Sequence, residues 1–339
     1  MSIATGIGSL PGEDVAEAIT VVLGELGDHL AYLPELPARG ALATMTGRAL
    51  AILEGLDADL QPAGWRLTGG SGSPGLDRRR ARSLLAQDLD MLEERAQDHA
   101  GAFKVQVAGP WTLAATVERP RGDKILADHG ARRDLAQALA EGVRTHLRDV
   151  RRRLPRLGRL VVQVDEPGLA AVLTGGVPTA SGYGRHRCVE RPEASDTLSW
   201  LFEAITEEGA EPWVHSCAPG TPLDLLRGAG ARGLAVDVGV LSASDTDHLA
   251  AVLEDGGEVA LGVIPAVAPE APLSDKQVTE RVLRWLDMVG LAPEELGDRL
   301  VLAPTCGQAG ASPDWVRQTL RLARTAASSL SGRSGASAG

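Results

Sequence analysis

Short apolar runs alternate with longer amphipathic segments along the whole chain. The runs are TGIGSL (5–10), LAYLPEL (30–36), FKVQVAG (103–109), LVVQVDEP (160–167), EPWVHSC (211–217), GLAVDVG (233–239), EVALGVIP (258–265) and RLVLAPTC (299–306). Each has the length of a strand, and most are apolar at nearly every position, the pattern of strands buried on both faces. Between them lie segments with apolar residues three and four apart, such as DVAEAITVVLGELG (14–27) and RSLLAQDLDMLEERAQ (82–97). Several open on Asp, Ser or Thr and close on Gly, as helices do. The eight strand–helix pairs predict an α/β fold, a single-domain (β/α)8 TIM barrel over residues 1–327. The low-complexity tail, 328–339, is expected to be disordered. Two connections, 36–76 and 167–195, are longer than a barrel needs. Both follow strand C-termini, the face on which barrel enzymes carry their chemistry.

Composition narrows the partners. Of 339 residues 44% are hydrophobic and 3% aromatic, so a large core must be packed from Ala, Leu and Val. Net charge is −11 and no segment interleaves basic with aromatic residues, which argues against nucleic acid. No apolar run reaches the roughly 18 residues of a membrane span. The N-terminus has no basic stretch followed by an apolar one, so no signal peptide is expected. Three widely spaced cysteines, Cys188, Cys217 and Cys306, suit a cytoplasmic protein with reduced thiols.

The predicted strand ends hold the chemistry. Gly8 and Ser9 stand at the first, Glu35 at the second, Asp165 and Glu166 at the fourth, His215 and Cys217 at the fifth, Asp237 at the sixth and Cys306 at the eighth. His215 and Cys217 are two apart and point the same way on a strand. Cys306 can reach them across the barrel mouth, with Asp237 as a fourth ligand, and one imidazole, two thiolates and a carboxylate suit Zn²⁺. Glu35, Asp165 and Glu166 could satisfy an α-amino group, and the Gly8–Ser9 turn a carboxylate. Simpler readings stay open. His215 can be a core histidine, Cys217 and Cys306 small buried hydrophobes, Asp237 the cap of a loop, and Asp165 and Glu166 the end of a strand. Cys188 reads as a bystander.

The motifs GIGSLPG, GPWTL, QVDEPGL, HSC, VDVG and PTCG, in that order, resemble the catalytic barrel of cobalamin-independent methionine synthase. The resemblance runs from about residue 3 to residue 325 and is to the short, single-barrel form. It implies zinc held by His215, Cys217, Asp237 and Cys306, and homocysteine bound by Ile7, Gly8, Ser9, Glu35 and Asp165. Asp165 and Glu166 are the candidates for acid–base work. The implied reaction is attack of a zinc-bound thiolate on a donor methyl group, giving methionine. The donor would be 5-methyltetrahydrofolate or a methylcorrinoid, possibly on a corrinoid protein. Two departures stand out: the family's carboxylate ligand is usually Glu where this chain has Asp237, and the family's catalytic His falls at Val267. The other readings are a related zinc thiol alkyltransferase, a metal-free barrel like uroporphyrinogen decarboxylase, and a barrel with a structural zinc.

Overall fold

The computed structural model describes residues 1–69 and 75–332. Its strands are β1 (Ile3–Ala4), β2 (Leu30–Tyr32), β3 (Ala58–Gln61), β4 (Gly64–Leu67), β5 (Ala102–Ala108), β6 (Arg159–Asp165), β7 (Glu211–Ser216), β8 (Gly233–Asp237), β9 (Glu258–Ile264) and β10 (Leu300–Pro304). Eight of them form one parallel sheet in the order β1-β10-β9-β8-β7-β6-β5-β2. Seven of the eight apolar runs contain a barrel strand, and the first, TGIGSL, begins just after β1 and supplies only the bridge at Ser9. The sheet meets itself where Ser9 bridges Glu35 in parallel: Glu35 N–H donates to Gly8 O at 3.0 Å and Leu10 N–H to Glu35 O at 2.8 Å. The seam that closes the barrel therefore brings two candidate binding residues together at its rim.

The helices pack outside. His129–Arg153 buries Leu135, Leu139, Val143, Leu147 and Val150, one stripe at helical spacing. Ser274 and Gln277 form a capping box at the start of Asp275–Val289, and Gly290, at φ 72°, ends that helix in the left-handed region. Inside the sheet, Leu30, Val161, Trp213, Ala235, Ala260 and Val301 fill the N-terminal end of the barrel. One inward residue per strand suffices because alternate side chains point to opposite faces.

The first long connection holds a helix, Met45–Ile52, and an antiparallel hairpin of β3 and β4. Part of its glycine–serine stretch, 70–74, lies outside the described residues. The tail needs correcting. Helix Pro313–Gly332 runs through residues 328–332, and 333–339 lie outside the described residues. Among the described residues no helix is long and apolar enough to cross a membrane.

Candidate metal and amino-acid site

A cavity of about 300 Å³ opens at the C-terminal rim. It is lined by Ile7, Gly8, Ser9, Glu35, Asp165, His215, Cys217 and Cys306, with Pro37, Thr44, Met45, Pro167 and Gly307 completing the wall. The fold thus gathers the candidate ligands of the amino acid and three of the four candidate metal ligands in one space. A Cβ on Gly307 would clash with Ser9 Oγ, so the hydroxyl would have to turn away.

His215 and Asp165 are register partners on β7 and β6. Both side chains turn inward, and His215 Nδ1 lies 2.9 Å from Asp165 Oδ1. His215 Nε2 is buried and has no hydrogen-bond partner among the described residues. Metal-binding histidines commonly show this arrangement, one nitrogen held by a carboxylate and the other free to ligate. One ligand atom each of His215, Cys217 and Cys306 lies within 4.8 Å of the others. An imidazole nitrogen and two sulfurs suit zinc. In the structure, however, Cys217 and Cys306 are joined as a disulfide, with Cα atoms 5.9 Å apart. This corrects the expectation of three reduced thiols. The reason is geometric: two strand ends aim their sulfurs at one point, where they can bond to each other or share an ion. Holding a metal requires both as thiolates, after a two-electron reduction.

Asp237 does not join the group. Its Oδ1 accepts the N–H of Gly239 at 2.8 Å, so here it caps a turn. Glu166 also stays out of the cavity. It is 1% exposed, and its carboxylate accepts the N–H groups of Trp111 (2.9 Å) and Thr112 (2.7 Å) and the Thr112 hydroxyl (2.7 Å). It braces the start of helix Pro110–Thr116, while Asp165, one residue earlier, faces the cavity. Burial pushes the Glu166 carboxyl up to about 7, against the pull of those bonds. Cys188 is exposed and free.

Glu35 is 4% exposed. Burial raises its pKa to about 7, opposed mainly by the Arg48 guanidinium, whose Nε lies 3.4 Å from Glu35 Oε1. Arg48 comes from the helix inserted after β2. It also bonds to Asp88 at 2.7 Å, and Asp88 holds Arg39 at 2.6 Å. The long connection therefore supplies the charge behind Glu35 as well as Thr44 and Met45 of the wall.

Two residues not foreseen from sequence lie beneath the cavity. Lys104 is fully buried in the barrel. Its Nζ donates to Gly6 O (2.7 Å), Ile7 O (2.9 Å) and Gln163 Oε1. Gln163 Nε2 in turn donates to Asp165 Oδ1 (2.8 Å) and Ile7 O (2.9 Å). Burial pulls the Lys104 pKa down to about 7, with Asp165 and Glu35 pulling it back up. Three acceptor oxygens around one nitrogen call for the three donors of an ammonium. The signal was in the strand alternation: in FKVQVAG and LVVQVDEP the polar residues share the parity of the inward face.

Comparison with known proteins bears on the family and the fold. Residues 98–329 match the family described as cobalamin-independent synthase, catalytic domain. The chain belongs to this family. Its members are methyltransferases of methionine biosynthesis, and the match rules against a decarboxylase-like barrel. A search of curated proteins finds no match. Among solved structures, a B12-independent methionine synthase from Shewanella sp. W3-18-1, in complex with selenomethionine, is similar over 98% of both chains, with 15% identity and a TM-score of 0.62. The GH20 β-N-acetylhexosaminidase of Streptomyces coelicolor A3(2) aligns over 96% of this chain and 63% of its own, at 10% identity and a TM-score of 0.48. The first likeness speaks for the barrel fold, and the second is too loose to carry an argument.

Proposed function

We propose that this synthase-family protein is a zinc-dependent methyltransferase that converts homocysteine to methionine. One observation carries the reading. A single cavity joins His215, Cys217 and Cys306 to the Ile7–Ser9 turn, Glu35 and Asp165. A thiol and a zwitterionic head group fit those two halves. That the Shewanella protein was solved with selenomethionine, the selenium analogue of the proposed product, supports the same reading.

His215, Cys217 and Cys306 would hold the zinc once the cysteines are reduced. When bound, zinc supplies a Lewis acid that lets a thiol, ordinarily with pKa about 8.5, be present as thiolate at neutral pH. The chain's own residues do the rest. Asp165 holds the His215 ring. Glu35 and Asp165 face the ammonium, and the Ile7–Ser9 turn meets the carboxylate. The buried position of this head-group site fixes the sulfur for in-line attack on the donor methyl.

The donor follows from two opposed observations. The family description favours a reduced folate. Val267, where the resemblance expects a proton-supplying His, is apolar and 54% exposed, which favours a methylcorrinoid whose departure needs no proton. Arg39 and Arg48 are already committed to Asp88, and Arg78 pairs with Asp57 at 2.8 Å, so these arginines offer a polyglutamate tail little. Methionine formation from methylcobalamin and from mono- and triglutamyl 5-methyltetrahydrofolate, at equal enzyme and homocysteine, distinguishes the donors.

The test of the reading as a whole is metal content followed by titration. Reduced protein is expected to bind about one zinc per chain. Homocysteine should then bind with release of about one proton, counted by calorimetry in buffers of different ionisation enthalpy. Equal affinity for homoserine, or no proton release, would sink direct coordination. Tighter binding of another thiol would favour the related alkyltransferase, and zinc that neither exchanges nor meets thiols would favour a structural role.

A further inference from the structure

We propose that Lys104 is a positioning residue that selects, through Gln163 and Asp165, the tautomer in which His215 presents Nε2 to the metal. This rests on the metal reading above.

Gln163 could present its carboxamide either way round. As the ammonium that its three oxygen neighbours call for, Lys104 is a donor only, so the group facing Nζ must be Oε1. A second constraint agrees: the Ile7 carbonyl, an acceptor only, faces the other amide atom, which must therefore be Nε2. With the amide fixed, its N–H points at Asp165 Oδ1 and holds that oxygen as an acceptor. The His215 atom 2.9 Å from the same oxygen then carries the ring proton at Nδ1. Nε2 is left with its lone pair, buried and without a partner among the described residues, in the group with the two sulfurs. The same ammonium binds Gly6 O and Ile7 O, so it also pins the turn proposed to take the substrate carboxylate. One buried cation thus sets both halves of the site while touching neither metal nor substrate.

The experiment compares wild type with Lys104→Met and Gln163→Glu. Gln163→Glu keeps an oxygen for Lys104 but has no N–H for Asp165. Two readouts are taken on reduced protein: the ¹⁵N shifts of the His215 ring without metal, assigned by their loss in His215→Gln, and zinc affinity by competition with a chelator. Wild type should show one tautomer, protonated at Nδ1. Both variants should show mixed or reversed tautomers and bind zinc about tenfold more weakly, within the range for partners that orient a ligand. A wild-type ring protonated at Nε2 overturns the proposal. So do variants that keep both tautomer and affinity and lose only thermal stability, since that is the result of a merely structural lysine. If Lys104→Met fails to fold, Gln163→Glu decides alone. Failure of wild type to bind zinc would refute the metal reading, and the metal-free tautomer measurement would still judge the relay.

Discussion

The two ends of the barrel are built from the same strands yet obey opposite rules. Along β6 the inward residues run Val161, Gln163, Asp165. Along β7 they run Trp213, His215 and then Cys217, and β8 goes from Ala235 to Asp237. At the N-terminal end these positions form a closed apolar layer, none of it more than 1% exposed. The charged groups beneath it pair with one another: Arg159 holds Glu211 at 2.6 Å, reaches Glu258, and lies 5.9 Å from the Trp213 ring centroid. Two or four residues further on, polar groups are buried without full partners, among them His215 Nε2 and Glu35 Oε1. Buried polar atoms left unpaired cost stability. Inside the barrel such atoms, on Glu35, Gln106 and His215, lie toward the rim, with Trp213 Nε1 the exception in the bottom layer, which points to the rim as the end for a ligand and the other as the end that holds the barrel together.

The comparison breaks most visibly at the sulfurs. Cys217→Ser and Cys306→Ser should each lower the zinc of reduced protein from about one per chain to below about 0.1, because two ligands do not retain the ion. Cys188→Ser should leave it unchanged. Elemental analysis after reduction and chelator-free dialysis checks this, and full zinc in both variants would mean the rim trio is not the site.

At the other end the large effect should fall on stability alone. Trp213 is completely buried, so Trp213→Ala should cost about 3–5 kcal/mol in urea unfolding. Zinc stoichiometry below the transition should stay at the wild-type value. Loss of zinc at full foldedness would show that the bottom layer positions the rim, and the division of labour drawn above would fail.

Much of this division is legible in the amino-acid sequence. Eight nearly continuous apolar runs alternating with eight helical segments fit a barrel, whose eight parallel strands are buried on both faces. The rim chemistry followed from asking what stood at each strand end. What escaped had weaker signals. The β3–β4 hairpin has strands of only four residues and turns on Pro62–Ala63 rather than on an Asn-Gly or Asp-Gly pair. Asp165 and Glu166 look equivalent as neighbours, and only strand parity and the nearby Trp111 and Thr112 amides separate them. The convergence of Cys217 and Cys306, 89 residues apart, was readable from their strand ends, but not that the two sulfurs bond to each other. Lys104 and Gln163 were readable by parity, but a lysine inside a barrel runs against the expectation that lysines lie outside.

A smaller effect is expected at Glu35, and its direction changes with what is measured. Its folded pKa, about 7, is raised from 4.5 mainly by burial. Such a group favours the fold below the unfolded value, and that contribution is lost as pH rises through about 7. Glu35→Gln should therefore stabilise the protein at pH 8, on the order of 2 kcal/mol, and much less at pH 5. Amino-acid binding should move the other way. Methionine serves as the probe because its thioether does not titrate. Wild-type affinity for it should rise as pH passes through about 7 and Glu35 ionises. Glu35→Gln should bind it about tenfold more weakly at pH 8, the worth of one charge-assisted bond, with a flat profile and zinc in place. A variant with the wild-type pH profile would remove Glu35 from the head-group site.

Asp237 gives the smallest predicted effect and the finest test of where the rim ends. The resemblance makes it the fourth zinc ligand, whereas the structure turns its carboxylate to the Gly239 N–H. A carboxylate already committed to a backbone amide contributes little to a metal held by three stronger donors. On the observed geometry, Asp237→Asn should keep about one zinc per chain, lower its affinity less than about threefold, and cost about 0.5–1 kcal/mol through the weakened turn. His215, Cys217 and Cys306 alone would then hold the zinc, which would supply the Lewis acidity for the substrate sulfur. Should chelator competition instead show a fall of tenfold or more, the carboxylate must swing from Gly239 to the metal in solution. Homocysteine would then have to displace it, and the affinity deficit of the variant should vanish once homocysteine is bound.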